Sequence, residues 1–219
     1  MKQPSIDLVH LFKYSFQQYK RYTSFVIGIM VTYYVLAIVP QIYYFQYFWG
    51  NPSTEAQVIS GIITVTQLFL SLGFINVMLR LVDDEHVQVS DMFNNFRNFL
   101  SYFVGYFLYM LSIILGLFLF VLPGIFIAVR FMFYPYFILE ENQSSFVALQ
   151  KSYYLSEEMT VELFLFGIVV ITLNIVGALL FGIGILFTYP LTTMATAVVF
   201  KSLVNETEGI PSEQYQLES

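Results

Sequence analysis

Arg130 is the only charged residue between Arg97 and Glu140. A lone guanidinium in so apolar a run can hold a carbonyl, a phosphate or another anion, since charges at membrane depth usually face a partner inside the protein. Other polar side chains inside the apolar runs include Gln67, Asn76, Thr172 and Asn174, with Ser and Thr scattered among them. Interhelical hydrogen bonds of this kind contribute ~0.6 kcal/mol on average, so most of these residues read as packing features. Arg130, Asn174 and Gln67, with Tyr134 and Tyr189 beside them, are the candidate contacts for a ligand or lipid.

No catalytic, cofactor or metal set emerges. The chain has no Cys, and His10 and His86 lie outside the apolar runs, too far apart to form a helical ligand pair. Glu140-Glu141 suggests the paired glutamates of some intramembrane proteases. Those enzymes place a base four positions after the second Glu, where this chain has Ser145, so the pair reads as a helix end. Asp83-Asp84-Glu85 reads as a solvated turn rather than a cation site. Gly182-Ile183-Gly184 reads as a tight turn, because no strand precedes it to make a phosphate loop.

The elements that position these residues follow from hydropathy. Of 219 residues, 58% are hydrophobic and 11% are charged, against about 25% charged in soluble domains. No Asp, Glu, Lys or Arg lies between Arg21 and Glu55, between Glu55 and Arg80, or between Glu162 and Lys201. A bilayer core needs about 20 residues of helix, so each run can span one. A net charge of −6 argues against a nucleic-acid partner. The first apolar run is far longer than a signal-peptide core and is expected to stay as an anchor.

Six transmembrane helices in three hairpins are expected. Ser24 to Phe45 and Val58 to Leu79 form the first two, joined by a polar-aromatic turn at Trp49-Gly50-Asn51-Pro52-Ser53. Asn98 to Leu139 is 42 residues and divides at Pro123-Gly124; Leu163 to Phe200 is 38 residues and divides at Gly182-Ile183-Gly184. Eight of the nine bases (Lys2, Lys13, Lys20, Arg21, Arg80, Arg97, Lys151 and Lys201) then fall on one side, which makes both termini cytoplasmic.

Each hairpin follows an amphipathic interfacial segment, so the class is an all-α integral membrane protein. The first segment puts Leu8, Phe12, Phe16 and Tyr19 on one face. The second starts from Ser90 as N-cap and carries Met92, Phe93, Phe96 and Leu100. The third starts from a Ser145 cap and carries Phe146, Leu149 and Tyr153. Segment start to turn is 33 residues from Asp7 to Pro40, 33 from Ser90 to Pro123 and 37 from Ser145 to Gly182. Tyr134-Pro135 echoes Tyr189-Pro190. Repeat units of about 5–80, 89–141 and 144–203 thus make one six-helix membrane domain over 1–203. Residues 204–219, with four Glu and no base, form an acidic cytoplasmic tail. In outline three such units resemble mitochondrial carriers, but their Pro-x-Asp/Glu signature is absent: Pro40 is followed by Gln41 and Ile42, and Pro123 by Gly124 and Ile125.

Leu122-Pro123-Gly124-Ile125-Phe126, Val129-Arg130-Phe131, Tyr134-Pro135 and Ala148-Leu149-x-Lys151-Ser152 lie within a closer resemblance that covers Leu122 to Leu203. This stretch resembles a group of poorly characterised bacterial inner-membrane proteins, and it is similar to the membrane domain fused to some glycerophosphodiester phosphodiesterases. The resemblance implies a fold and a bacterial inner-membrane location. It implies no phosphodiesterase activity, because that catalytic domain is not in the sequence. The expected function is non-enzymatic: a scaffold, assembly or envelope-homeostasis factor acting through membrane lipids or other membrane proteins. The alternative is a transporter or binder of a lipid or small amphiphile.

Overall fold

The computed structural model describes residues 8–48, 53–180 and 182–207. The turn at 49–52, Lys2, the expected segment start at Asp7 and residues 208–219 of the acidic tail lie outside the described residues. Among the described residues every regular element is helical: α1 (Leu8–Arg21), α2 (Thr23–Phe48), α3 (Thr54–Val82), a 3-10 turn (Val89–Phe93), α4 (Phe96–Leu119), α5 (Val121–Arg130), α6 (Tyr134–Glu141), α7 (Ser145–Leu155), α8 (Thr160–Leu179) and α9 (Ile185–Thr207). Five stretches are long and apolar enough to cross a membrane: Thr23–Tyr47, Thr54–Val82, Phe96–Leu119, Val121–Glu141 and Thr160–Leu179. This is the composition of a multi-pass membrane protein.

The ends of these helices follow from local chemistry. Ser53 caps α3, its hydroxyl accepting from the Ala56 amide at 3.1 Å. The long third run breaks at Phe120, not at Pro123-Gly124 as expected: Phe120 is extended and α5 begins at Val121. Pro123 then sits in the first turn of a helix, where its missing N–H leaves nothing unpaired. Gly124 is buried because α4 crosses α5 there; a Cβ on Gly116 would lie 2.8 Å from the Gly124 Cα. Pro40, taken as a marker of the first turn, lies inside α2 instead.

Three further departures concern the segments that precede the hairpins. The second is no amphipathic helix. Ser90 caps nothing; the 3-10 turn is capped by Gln88, whose amide donates to the Asp91 carboxylate at 2.9 Å. Met92 is buried, while Phe96 and Leu100 fall in the exposed first turns of α4. In the third segment the cap is Ser144, and the face turned inward is Ser145, Ala148, Leu149 and Ser152 rather than the expected Phe146 and Tyr153. In α1 the buried stripe is Leu11, Ser15, Gln18 and Tyr19, so Phe16 points outward.

Contacts pair the long helices antiparallel. α2 meets α3 through Ala37 with Gln67, and Tyr22 and Asp84 join just outside the two helices. α4 meets α5 and α6 through Gly116 with Gly124, Tyr109 with Ala128 and Gly105 with Tyr134. α8 meets α9 through Gly177 with Gly184 and Asn174 with Thr192. The helix at the centre is α9, whose Met194, Ala195, Ala197, Val198, Val199 and Phe200 are all buried. Phe133, Tyr136 and Phe137 of the α6 end surround Phe200, with ring centroids 5.0–5.9 Å away.

Candidate functional site

α5 ends at Arg130 and α6 restarts at Tyr134, a break inside one apolar stretch that hydropathy did not mark. A helix interrupted away from water frees backbone groups that something must satisfy. The serines of α7 do this. Ser152 Oγ donates to the Arg130 carbonyl at 2.9 Å and accepts from the Phe133 amide at 3.0 Å. Ser156 Oγ donates to its own helix at Ser152 O (2.8 Å) and also lies 3.4 Å from the Arg130 carbonyl. Ser145 Oγ donates to the Ser101 carbonyl of α4 at 2.7 Å, so the serine face of α7 joins two elements.

The Arg130 side chain is buried at this break, 7% exposed. Nη1 donates to the Tyr153 carbonyl at 3.2 Å. The guanidinium carbon lies 4.8 Å from the Phe126 ring centroid and 4.7 Å from that of Tyr153. Nε has no hydrogen-bond partner. The charge is thus held by two aromatic faces and one carbonyl, with no carboxylate in ion-pair distance among the described residues. Cation–π contacts of this kind strengthen when desolvated. The partner within the protein is the Tyr153 carbonyl of α7, a backbone acceptor that side-chain types do not reveal.

The remaining candidates do not converge on Arg130. Gln67 Nε2 donates to the Ala37 carbonyl at 3.0 Å, tying α3 to α2. Asn174 Nδ2 donates to Val170 O at 2.9 Å and to Thr192 Oγ1 at 3.0 Å, tying α8 to α9. Tyr134 is buried and stacks on Tyr102 at 5.9 Å. Tyr189 stacks on Phe74 at 5.3 Å and on Tyr33 at 6.2 Å. Ser71 and Tyr102 are linked through their hydroxyls at 3.3 Å. Tyr134 and Tyr189 therefore belong to an aromatic filling among α2, α3, α4, α6 and α9, whereas Gln67, Asn174 and Arg130 each serve a separate helix junction.

A third arrangement was not anticipated. The acidic triplet is paired throughout: Asp83 with Lys201 (2.9 Å), Asp84 with Arg21 (2.9 Å) and Tyr22, and Glu85 with Arg80 (2.6 Å). Lys201 also holds Glu140 at 2.7 Å, and Lys151 pairs with Glu141. Lys201 thus clasps the ends of α3 and α6 to α9. Burial works against its charge, but hydrogen bonds to the Glu140 and Asp83 carboxylates outweigh this and hold the ammonium above its ordinary pKa. The pairs were missed because they link residues far apart in the chain, such as Lys201 and Asp83. Compared with family models, curated proteins and solved structures, the chain matches none.

Proposed function

We propose that the chain is a non-enzymatic membrane protein acting through its lipid- and protein-facing surface as a scaffold, assembly or envelope-homeostasis factor. The observation that carries this reading is the dispersal of its polar groups. Gln67, Asn174 and Arg130 each satisfy a different helix junction, and stacked rings fill the space among α2, α3, α4, α6 and α9, where the Ser71 and Tyr102 hydroxyls satisfy each other. A transport path or an intramembrane reaction centre needs convergent polar or ionisable groups.

In this reading α9 is the sixth span, and the three antiparallel pairs are three hairpins with both termini cytoplasmic. Its Thr192, Met194, Ala195 and Ala197 face the bundle, so it needs less apolar surface than its neighbours. The close approach of Gly116 to Gly124 and of Gly177 to Gly184 near the turns of the second and third pairs supports a likeness between those two units. The bacterial inner membrane is the location implied by the resemblance of the Leu122 to Leu203 stretch.

The test against the transporter alternative uses proteoliposomes holding a trace of fluorescent phospholipid in both leaflets. Dithionite added outside should quench the same share of fluorescence with and without protein. Deeper quenching in sealed proteoliposomes would overturn the scaffold reading in favour of lipid translocation.

A further inference from the structure

Two apolar grooves flank α8, each of about 540 Å³. The one against α5 is walled by Leu122, Pro123, Phe126, Val129, Val161 and Phe164, and no charged side chain lines it. The one against α1 is walled by Val9, Phe12, Phe16, Leu165, Phe166 and Val169, and Lys13 stands in its wall. That difference in charge separates the two.

The α1–α8 groove has a fixed floor and open sides. Phe12 rests on Phe166 with ring centroids 5.4 Å apart, while Val9, Phe16, Leu165 and Val169 remain 44–65% exposed. Arg21, at the end of α1, is held by Asp84. Lys13 and Lys20 have no carboxylate in ion-pair distance among the described residues. The Lys20 ammonium lies 4.6 Å from the centroid of the Phe16 ring, which sets a second cation against the same wall. Hydrocarbon beside an ammonium that no described carboxylate holds is the complement of an amphiphile with an apolar chain and an anionic head.

We propose that the α1–α8 groove is a binding site for an anionic phospholipid. An acyl chain lies along Phe12, Leu165, Phe166 and Val169, and the phosphate is held by Lys13 with Lys20 nearby. The proposal rests on the membrane reading above and deepens it by naming the lipid class and the site. The charge on Lys13 selects the headgroup; the apolar walls accept acyl chains without regard to it.

The test is native mass spectrometry of the detergent-purified full chain, titrated with dioleoylphosphatidylglycerol or with dioleoylphosphatidylcholine. The first phosphatidylglycerol adduct should form at about fivefold lower lipid concentration, the preference expected of one ammonium near the phosphate. Lys13→Gln should abolish that preference while phosphatidylcholine adducts persist, and Lys13→Arg should retain it. Val169→Trp, which crowds the groove from its side, should weaken the first adduct of both lipids; Phe164→Trp in the other groove should leave the preference unchanged. Equal binding of the two lipids by the wild type, or a preference that survives Lys13→Gln, overturns the proposal. Neither result alters the dithionite assay, so this proposal and the scaffold reading fail separately.

Discussion

At Arg130 a helix ends inside an apolar bundle, and a neighbouring helix supplies what water would supply at a surface. Ser152 is the pivot, since its one hydroxyl serves both the Arg130 carbonyl and the Phe133 amide. Ser152→Ala should therefore cost about 1–3 kcal/mol in a detergent unfolding titration, the usual penalty for stranding a buried polar group. Ser112→Ala is the control: that hydroxyl only returns to its own helix at Leu108 O, so the change should stay within about 0.5 kcal/mol. Equal losses at both positions would remove the special role of the break. Arg130→Lys should fall between wild type and Arg130→Leu in thermal stability, because an ammonium keeps the charge but lacks the planar face that lies over Phe126 and Tyr153. A Lys variant no better than Leu would show that charge contributes nothing there. The sequence made Arg130 conspicuous because it is isolated. It could not reveal the Tyr153 carbonyl, since every residue carries one, nor the Ser152 bridge, which depends on how α7 lies against the break.

At the scale of elements, tertiary contact overrode local pattern between α3 and α4. The Val89–Phe93 segment has the apolar spacing of a helix, yet it is a 3-10 turn laid against α3 at Gly73. A Cβ on Gly73 would lie 1.9 Å from the Met92 carbonyl oxygen, a contact that only displacement of backbone can relieve. Gly73→Ala should destabilise the fold by about 1–3 kcal/mol or more, and hydrogen exchange should rise first at Met92 and Phe93. Normal protection there would contradict the packing. Lys201, just past Phe200 in α9, ties the ends of two other helices to its own, so Lys201→Met should cost more than the ~1 kcal/mol of an exposed pair. Its ammonium is held above the ordinary value, so the stabilisation is complete below about pH 10.4. It is lost as pH rises through the raised value. The stability difference between wild type and Lys201→Met should then be constant from neutral pH to that point and shrink above it. A difference that grew with alkalinity would contradict the clasp.

For the whole molecule, the class was legible because uncharged runs are long and their ends carry the bases; the all-helical architecture and its five apolar crossing-length stretches follow from that. The break at Phe120 was displaced by three residues from Pro123, because proline fits the first turn of the helix it was expected to precede. The division between α5 and α6 left no mark in hydropathy, since Phe131, Met132 and Phe133 continue the apolar run, although Pro135 stands in the first turn of α6. The central placement of α9 was legible only as a flank of small residues at Thr192, Thr193, Ala195, Thr196 and Ala197. That helix decides between five and six crossings, and so whether the three pairs are three membrane hairpins. The chain has no cysteine, so single cysteines can report sidedness without background. The most direct measurement is labelling of Thr54→Cys, Phe120→Cys, Ile183→Cys, His86→Cys, Glu157→Cys and Thr207→Cys by an impermeant maleimide in intact bacterial cells expressing the chain. Thr54→Cys, Phe120→Cys and Ile183→Cys should label from outside, and the other three only after permeabilisation. Labelling of Thr207→Cys from the same side as Ile183→Cys would leave α9 uncrossed and contradict the six-span, three-hairpin account.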